Sequence, residues 1–224
     1  MRRRLAALPA ALLALLLCLA HAQAQEIWSS TDLGSGLAIS NAGRTATSST
    51  ASDTLGRGVA SAASGKKYYE AVTSQATFDL IGFATSSAPT NQILGSGTPA
   101  NNPSVGVRGL DGIFYGGTGG QGGGTFTAGD RVALAMDIDN ALLWWKDLTT
   151  SSAWHPSGDP GLGTGGFSTT NLNGSAVFPA YSMSNSGDTV VASFAAADIT
   201  GTIPTGFSLF GTCARTLALM GVGC

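Results

Sequence analysis

An all-β fold, two antiparallel sheets stacked as a sandwich, is what this sequence predicts. Three observations carry the prediction. Short runs of alternating apolar and polar residues recur along the chain, and clusters of Gly, Ser, Thr, Asn and Pro separate them. No long window has the 3.6-residue period of a helix. Glycine supplies 32 of 224 residues, about twice the usual ~7%, which suits a chain of many turns.

The first 24 residues read as an export signal. Arg2, Arg3 and Arg4 precede an apolar stretch from Leu5 to Ala20, and Ala22-Gln23-Ala24 supplies the small residues of a cleavage site. The stretch is shorter than the ~20 residues that span a bilayer, and Pro9 interrupts it. The expected mature chain is one domain, 25–224, with no membrane span, secreted or held in the periplasm or at the cell surface. It keeps two cysteines, Cys213 and Cys224. An oxidising compartment favours a bridge between them, which on a chain-entropy argument adds roughly 3 kcal/mol.

Charge narrows the partners. Only 11% of residues are charged, while 43% are hydrophobic, enough apolar material for a core. Removing Arg2–Arg4 leaves 8 basic residues against 13 acidic ones. Such a chain has no basic footprint for nucleic acid and no polybasic membrane patch.

Along the mature chain, 27–64 is rich in small and hydroxyl residues, with short strands expected near Gly36–Ser40 and Gly58–Ala62. Lys67–Ser74 is a strand that places Tyr68, Glu70 and Val72 on one face and Tyr69 and Ala71 on the other. Phe78–Thr85 follows, then a loop over Ser86–Pro103, then strands at Ser104–Arg108 and Gly112–Tyr115 and a glycine tract at Gly116–Gly124. Arg131–Asp139 presents Val132, Leu134, Met136 and Ile138 to the core. A turn at Asp139-Asn140 pairs Met136 with Leu143, Leu134 with Trp145 and Ala135 with Trp144. A slip of one residue buries Asp137, so the register is firm. Trp154–Gly166 is a loop, and Val177–Ser182, Thr189–Phe194 and Phe207–Phe210 are strands.

Four stretches in this order resemble the SPRY (B30.2-like) domain family in the style of its bacterial and phage members. They are Gly65-Lys66-Lys67-Tyr68-Tyr69-Glu70; Ile81-Gly82-Phe83-Ala84-Thr85; Phe126-Thr127-Ala128-Gly129-Asp130 leading to Asp137-Ile138-Asp139 and Leu143-Trp144-Trp145-Lys146; and Phe178-Pro179-Ala180 followed by Phe194. The resemblance spans about residues 30–210 and implies a concanavalin-like jelly roll that binds proteins through variable loops, without shared catalytic residues or a cofactor. The sequence departs from the family after Lys146: Asp147-Leu148 stands where Asn-Gly is usual, and an insertion runs to Gly166.

Catalytic chemistry has few residues to work with. A glycosidase needs two carboxyls facing one sugar, yet the only glutamates are Glu26 and Glu70. Asp137 and Asp139 share a face at a hairpin end and read as turn residues. They lack the further oxygen ligands of an EF-hand loop. His155 is the one mature histidine and has no G-x-S-x-G partner; no metal site is expected. Gly117–Gly122 matches G-x-G-x-x-G but opens a strand, not the helix a dinucleotide site needs. The expected contacts to a ligand are Trp154 by stacking, His155 at the surface and Asp159 by accepting hydrogen bonds. Trp144 joins them only if its face is open, and large strand aromatics are more often core. The leading expectation is a non-catalytic module that binds a protein or a carbohydrate through one rim built from Asn91–Asn102, Gly116–Gly124 and Trp154–Gly166. A polysaccharide hydrolase or lyase and a structural envelope component are the alternatives.

Overall fold

The computed structural model describes residues 25–97, 100–116, 123–150, 152–172 and 174–211. The expected signal segment, most of the glycine tract and both Cys213 and Cys224 lie outside the described residues. The strands in chain order are β1 (Trp28–Leu33), β2 (Leu37–Ser40), β3 (Thr45–Ser48), β4 (Thr54–Gly58), β5 (Lys66–Thr73), β6 (Leu80–Thr85), β7 (Ser104–Arg108), β8 (Phe114–Tyr115), β9 (Arg131–Asp137), β10 (Leu142–Asp147), β11 (Gly158–Asp159), β12 (Thr164–Gly165), β13 (Phe167–Ser168), β14 (Val177–Met183), β15 (Thr189–Ser193) and β16 (Ser208–Leu209). Helix among these residues is confined to two short 3-10 turns, at Asn41–Gly43 and Thr170–Leu172.

Two large sheets face each other. One has the order β1-β4-β14-β6-β7-β8, the other β13-β10-β9-β5-β15-β3-β2, with β16 running parallel to the start of β5. Alternation along each strand sends one set of side chains between the sheets. From the first sheet come Trp28, Ile81, Phe83 and Tyr181; from the second come Tyr69, Leu134, Trp145 and Val190. Trp28 meets Tyr181 edge-on at 4.6 Å and Phe194 at 5.0 Å, and Tyr69 meets Phe83 at 5.5 Å. The buried Tyr69 hydroxyl donates to the Gly82 carbonyl at 2.8 Å, so the polar tip of a core ring is satisfied by the opposite sheet.

The β9–β10 hairpin has the register expected from the sequence: Met136 opposite Leu143, Ala135 opposite Trp144 and Leu134 opposite Trp145. Two expectations need correction. The strand placed at Gly58–Ala62 lies earlier, at Thr54–Gly58. Gly56 is there because the Tyr181 ring crosses directly over it; a Cβ at that position would fall 2.3 Å from the Tyr181 hydroxyl. Asp137 is buried in the correct register, not only after a slip. The outer face of the eight-stranded sheet is itself covered, and Asp137 is paid for there by hydrogen bonds from Asn140 and an ion pair with Lys66 at 3.4 Å. Burial alone would raise its pKa, but these partners outweigh it and hold the carboxyl below the ordinary aspartate range.

Candidate functional site

The covered outer face holds the site. Along β10, Leu143 and Trp145 point between the sheets, so Trp144 and Lys146 point outward. Asp147 then turns the chain. Its carboxylate accepts the Thr149 N–H at 2.8 Å and the Thr150 hydroxyl at 2.6 Å, an Asx-type reversal. The returning segment pairs back onto the same strand: His155 N–H donates to the Trp145 carbonyl at 2.9 Å and Trp145 N–H to the His155 carbonyl at 3.2 Å. Alternation now sorts the neighbours of this bridge. His155 turns inward and stacks on the Trp145 ring at 4.5 Å. Trp154 turns outward and joins Lys146.

The insertion after Trp154 is a strap, not an open loop. β11 and β12 form a small hairpin over Trp144, whose indole N–H donates to the Thr164 carbonyl at 3.0 Å. Trp144 has no solvent exposure. Gly166, with φ of +93°, lies so close that an added Cβ would stand 2.7 Å from the indole. The exposed Asp159 carboxylate accepts the Gly161 N–H at 2.7 Å, which braces the hairpin tip. At that tip Leu162 is 77% exposed, the most exposed large apolar side chain among the described residues.

The opposite wall is the segment between β15 and β16. Its apolar residues Ile199, Ile203 and Phe207 pack on Tyr68, Trp144 and Leu209. Its backbone is pinned by Glu70, which is fully buried. That carboxylate accepts the Thr200 N–H, the Thr200 hydroxyl, the Gly201 N–H at 2.8 Å and the Tyr68 hydroxyl at 2.8 Å. Arg131 completes the shell, reaching Glu70 at 3.3 Å and the Ser193 hydroxyl at 2.7 Å. Between the two walls lies a groove of about 550 Å³, lined by Lys146, Leu148, Trp154 and Asp159 on one side and by Thr200–Thr205 on the other.

Of the residues singled out from the sequence, Trp154 and Asp159 come together in this groove. Trp144 belongs to the packing beneath the strap and presents no ring to a ligand. His155 is half-buried against Trp145, with Gly124 closing over its imidazole, and burial lowers its pKa. The three rim loops do touch in sequence: Gly95 packs against Tyr115 and Gly116, and Gly124 against His155. The groove itself is off that rim, on a sheet face. Sequence reasoning missed Lys146 and Thr200–Thr205. A signal for the latter exists in Ile199, Ile203 and Phe207, spaced four apart in a Gly-, Thr- and Pro-containing segment that must cover something apolar. No helix among the described residues is long and apolar enough to cross a membrane.

No family model matches the chain, and no curated protein sequence matches it. Solved structures do. The SPRY domain of human HERC1 is similar with a TM-score of 0.55 and 15% identity, over 74% of this chain and 96% of that one. The TRIM65 PSpry domain is similar with a TM-score of 0.55 and 14% identity, over 81% of this chain and 98% of that one. Stonustoxin matches over 75% of this chain but 28% of its own length, with a TM-score of 0.55 and 15% identity. Two antiparallel sheets in this order, and these likenesses in three dimensions, give the chain the fold of a SPRY domain.

Proposed function

We propose that this chain is an exported, non-catalytic binding module of the SPRY type, of bacterial or phage style, and that it takes a protein ligand in the groove between the strap and the Thr200–Thr205 wall. The observation that carries the reading is the convergence of a partly buried indole, Trp154, with one cation, Lys146, and one anion, Asp159, at a groove on a sheet face. An aromatic anchor flanked by charges is the composition of an interface hot spot. Leu162, exposed at the tip of the strap, offers an apolar contact to a partner's side chain. Asp159 is the one carboxylate among the residues lining the groove, whereas sugar hydrolysis asks for two.

Capture experiments with Trp154→Ala and Lys146→Glu test the reading. Lys146 is partly exposed and Trp154 packs at the margin of the outer-face cluster, so folding is checked by thermal melting, and affinity of the folded variants for the captured partner should fall roughly 10- to 100-fold. Full-strength capture by folded Trp154→Ala protein would remove the groove from consideration. A glycan is the second reading, favoured by the same indole lining a groove with the hydroxyl-bearing Thr200, Thr202 and Thr205. A glycan array that lights up with the wild type and goes dark with Trp154→Ala would select it.

Export and the terminal bridge are part of the proposal. The mature protein should begin at Gln25 by N-terminal sequencing. Cys213 and Cys224 should be joined, so that reduction adds two hydrogens to the intact mass.

A further inference from the structure

Seven lysines and arginines lie among the described residues, and six of them have partners. Arg44 pairs with Asp198, Arg57 with Asp32, Lys66 with Asp137, Arg108 with Asp111 and Arg131 with Glu70. Lys67 donates to the Ser208 hydroxyl at 3.2 Å and lies over the Phe210 ring. Lys146 alone has no ion pair and no side-chain hydrogen bond among the described residues, and it lines the groove. Three acids share its surroundings, and none is its counter-ion. Asp147 points to the opposite face of β10 and accepts from Thr149 and Thr150. Glu70 stands in the same cross-strand row, since Lys146 is opposite Ala133 and Ala133 opposite Glu70, but Arg131 already answers its charge. Asp159 lines the groove without pairing with Lys146, and its carboxylate accepts the Gly161 N–H.

The opposite wall offers unused main chain. Glu70 holds the N–H groups of Thr200 and Gly201, and the Phe207 N–H donates to the Pro204 carbonyl at 3.0 Å. Between these two anchors Thr202 and Ile203 belong to no strand or helix, and their N–H and C=O groups make no hydrogen bond among the described residues. Such open main-chain groups suit an extended peptide, which pairs its own backbone with them. Leu148, Trp154 and Ile203 supply the apolar surface of the groove. An ammonium without a counter-ion keeps its full charge for a ligand. A carboxylate brought to it gains a charge-assisted hydrogen bond, in a setting that screens less than bulk water.

Resting on the reading of this groove as a protein-ligand site, we propose that its occupant is an extended acidic peptide segment, one that carries an aspartate or glutamate close to an apolar side chain. The carboxylate pairs with Lys146. The apolar side chain rests against Trp154 and Ile203. The peptide main chain bonds to the open groups of Thr202 and Ile203. Lys146 then sets specificity, because a partner with a basic or neutral residue at that point leaves the ammonium unanswered or repels it. Trp154 supplies contact area and is indifferent to the partner's charge.

The experiment selects a phage-displayed library of random peptides on the full chain and measures the synthetic forms of the enriched peptides by fluorescence anisotropy. Aspartate or glutamate should be enriched at one position of the peptides that Trp154→Ala loses. Lys146→Met should bind those peptides roughly 10-fold more weakly, and raising salt from about 0.1 to 1 M should weaken the wild type but not Lys146→Met. Selection on Lys146→Glu should exchange the acidic position for lysine or arginine, an outcome that a merely structural role for Lys146 does not produce. Thermal melting confirms that each variant is folded. Peptides that need Trp154 but show no acidic position, or that bind Lys146→Met at full strength, overturn this inference and leave the groove as a protein site. Failure to select any peptide that needs Trp154 overturns both. In that case, binding of uronic-acid glycans on an array, lost in Lys146→Met, assigns the groove to an acidic sugar.

Discussion

Glu70 joins the two halves of the groove through a single carboxylate. It is fully buried, and its donors come from β5 itself, from β9 through Arg131, and from Thr200 and Gly201 far along the chain. Removing it leaves Arg131 with the Ser193 hydroxyl but no carboxylate, and frees the Thr200–Thr205 wall. Glu70→Ala should therefore cost about 3–5 kcal/mol by urea denaturation. Glu70→Gln, which keeps one acceptor oxygen, should cost less. The sequence displayed Glu70 as one of two glutamates, but the backbone donors that explain it lie some 130 residues away in sequence and carry no side-chain signature. Gly166 poses the reverse case. Its φ of +93° and the Trp144 ring 2.7 Å from a would-be Cβ leave no room for a methyl group. Gly166→Ala should destabilise by about 1–3 kcal/mol, and the loss should appear as a raised unfolding rate if the strap docks late.

The β9–β10 hairpin was legible because its two faces differ in size and the period is unbroken. Ala135 has Trp144 across one edge and Tyr68 across the other. Small and large side chains thus alternate across the outer face, and the strap closes over them. Ala135→Leu should overpack that layer and cost about 1–3 kcal/mol, or roughly 2–4 °C in melting temperature per kcal/mol. The same substitution at an exposed strand position should be silent. β1, β3 and β4 were poorly legible for the opposite reason. Thr45–Ser48 is built from small residues, and Thr54–Gly58 sets a single Leu and a single Arg among Thr and glycines, so no hydrophobic alternation marks either. Their burial comes from what crosses over them, as Tyr181 does at Gly56. The strap was invisible as an element because two-residue strands leave no period. Its removal as a block would uncover Trp144, so the groove is better probed at Trp154 and Lys146 than by shortening 154–166.

At the scale of the whole molecule, closure of the six-stranded sheet depends on a buried acid whose charge state varies across ordinary pH. Glu26 is 2% exposed, and both carboxyl oxygens accept the Ala60 N–H, at 3.0 and 2.9 Å, which ties the start of β1 to the chain leaving β4. Burial raises its pKa to about 7 from 4.5, against the lowering effect of the Ala60 and Val59 backbone donors. The folded state thus holds this proton more tightly than the unfolded chain. Its contribution is complete below about pH 4.5 and is lost as pH rises through about 7. The shift corresponds to a loss on the order of 3 kcal/mol. Asp79, raised to about 8, has the same sign. Asp137 and Asp111, held below the ordinary aspartate range, have the opposite sign and act only at more acid pH. Stability should therefore be highest near pH 5 and decline toward pH 8. Glu26→Gln should remove about half of the decline between pH 4.5 and about 7 and leave the Asp79 part, which runs from 3.8 to about 8. Urea denaturation across that range decides the point: a wild-type midpoint that rises steadily from pH 5 to pH 8 would mean that Glu26 is ionised and compensated in the folded protein.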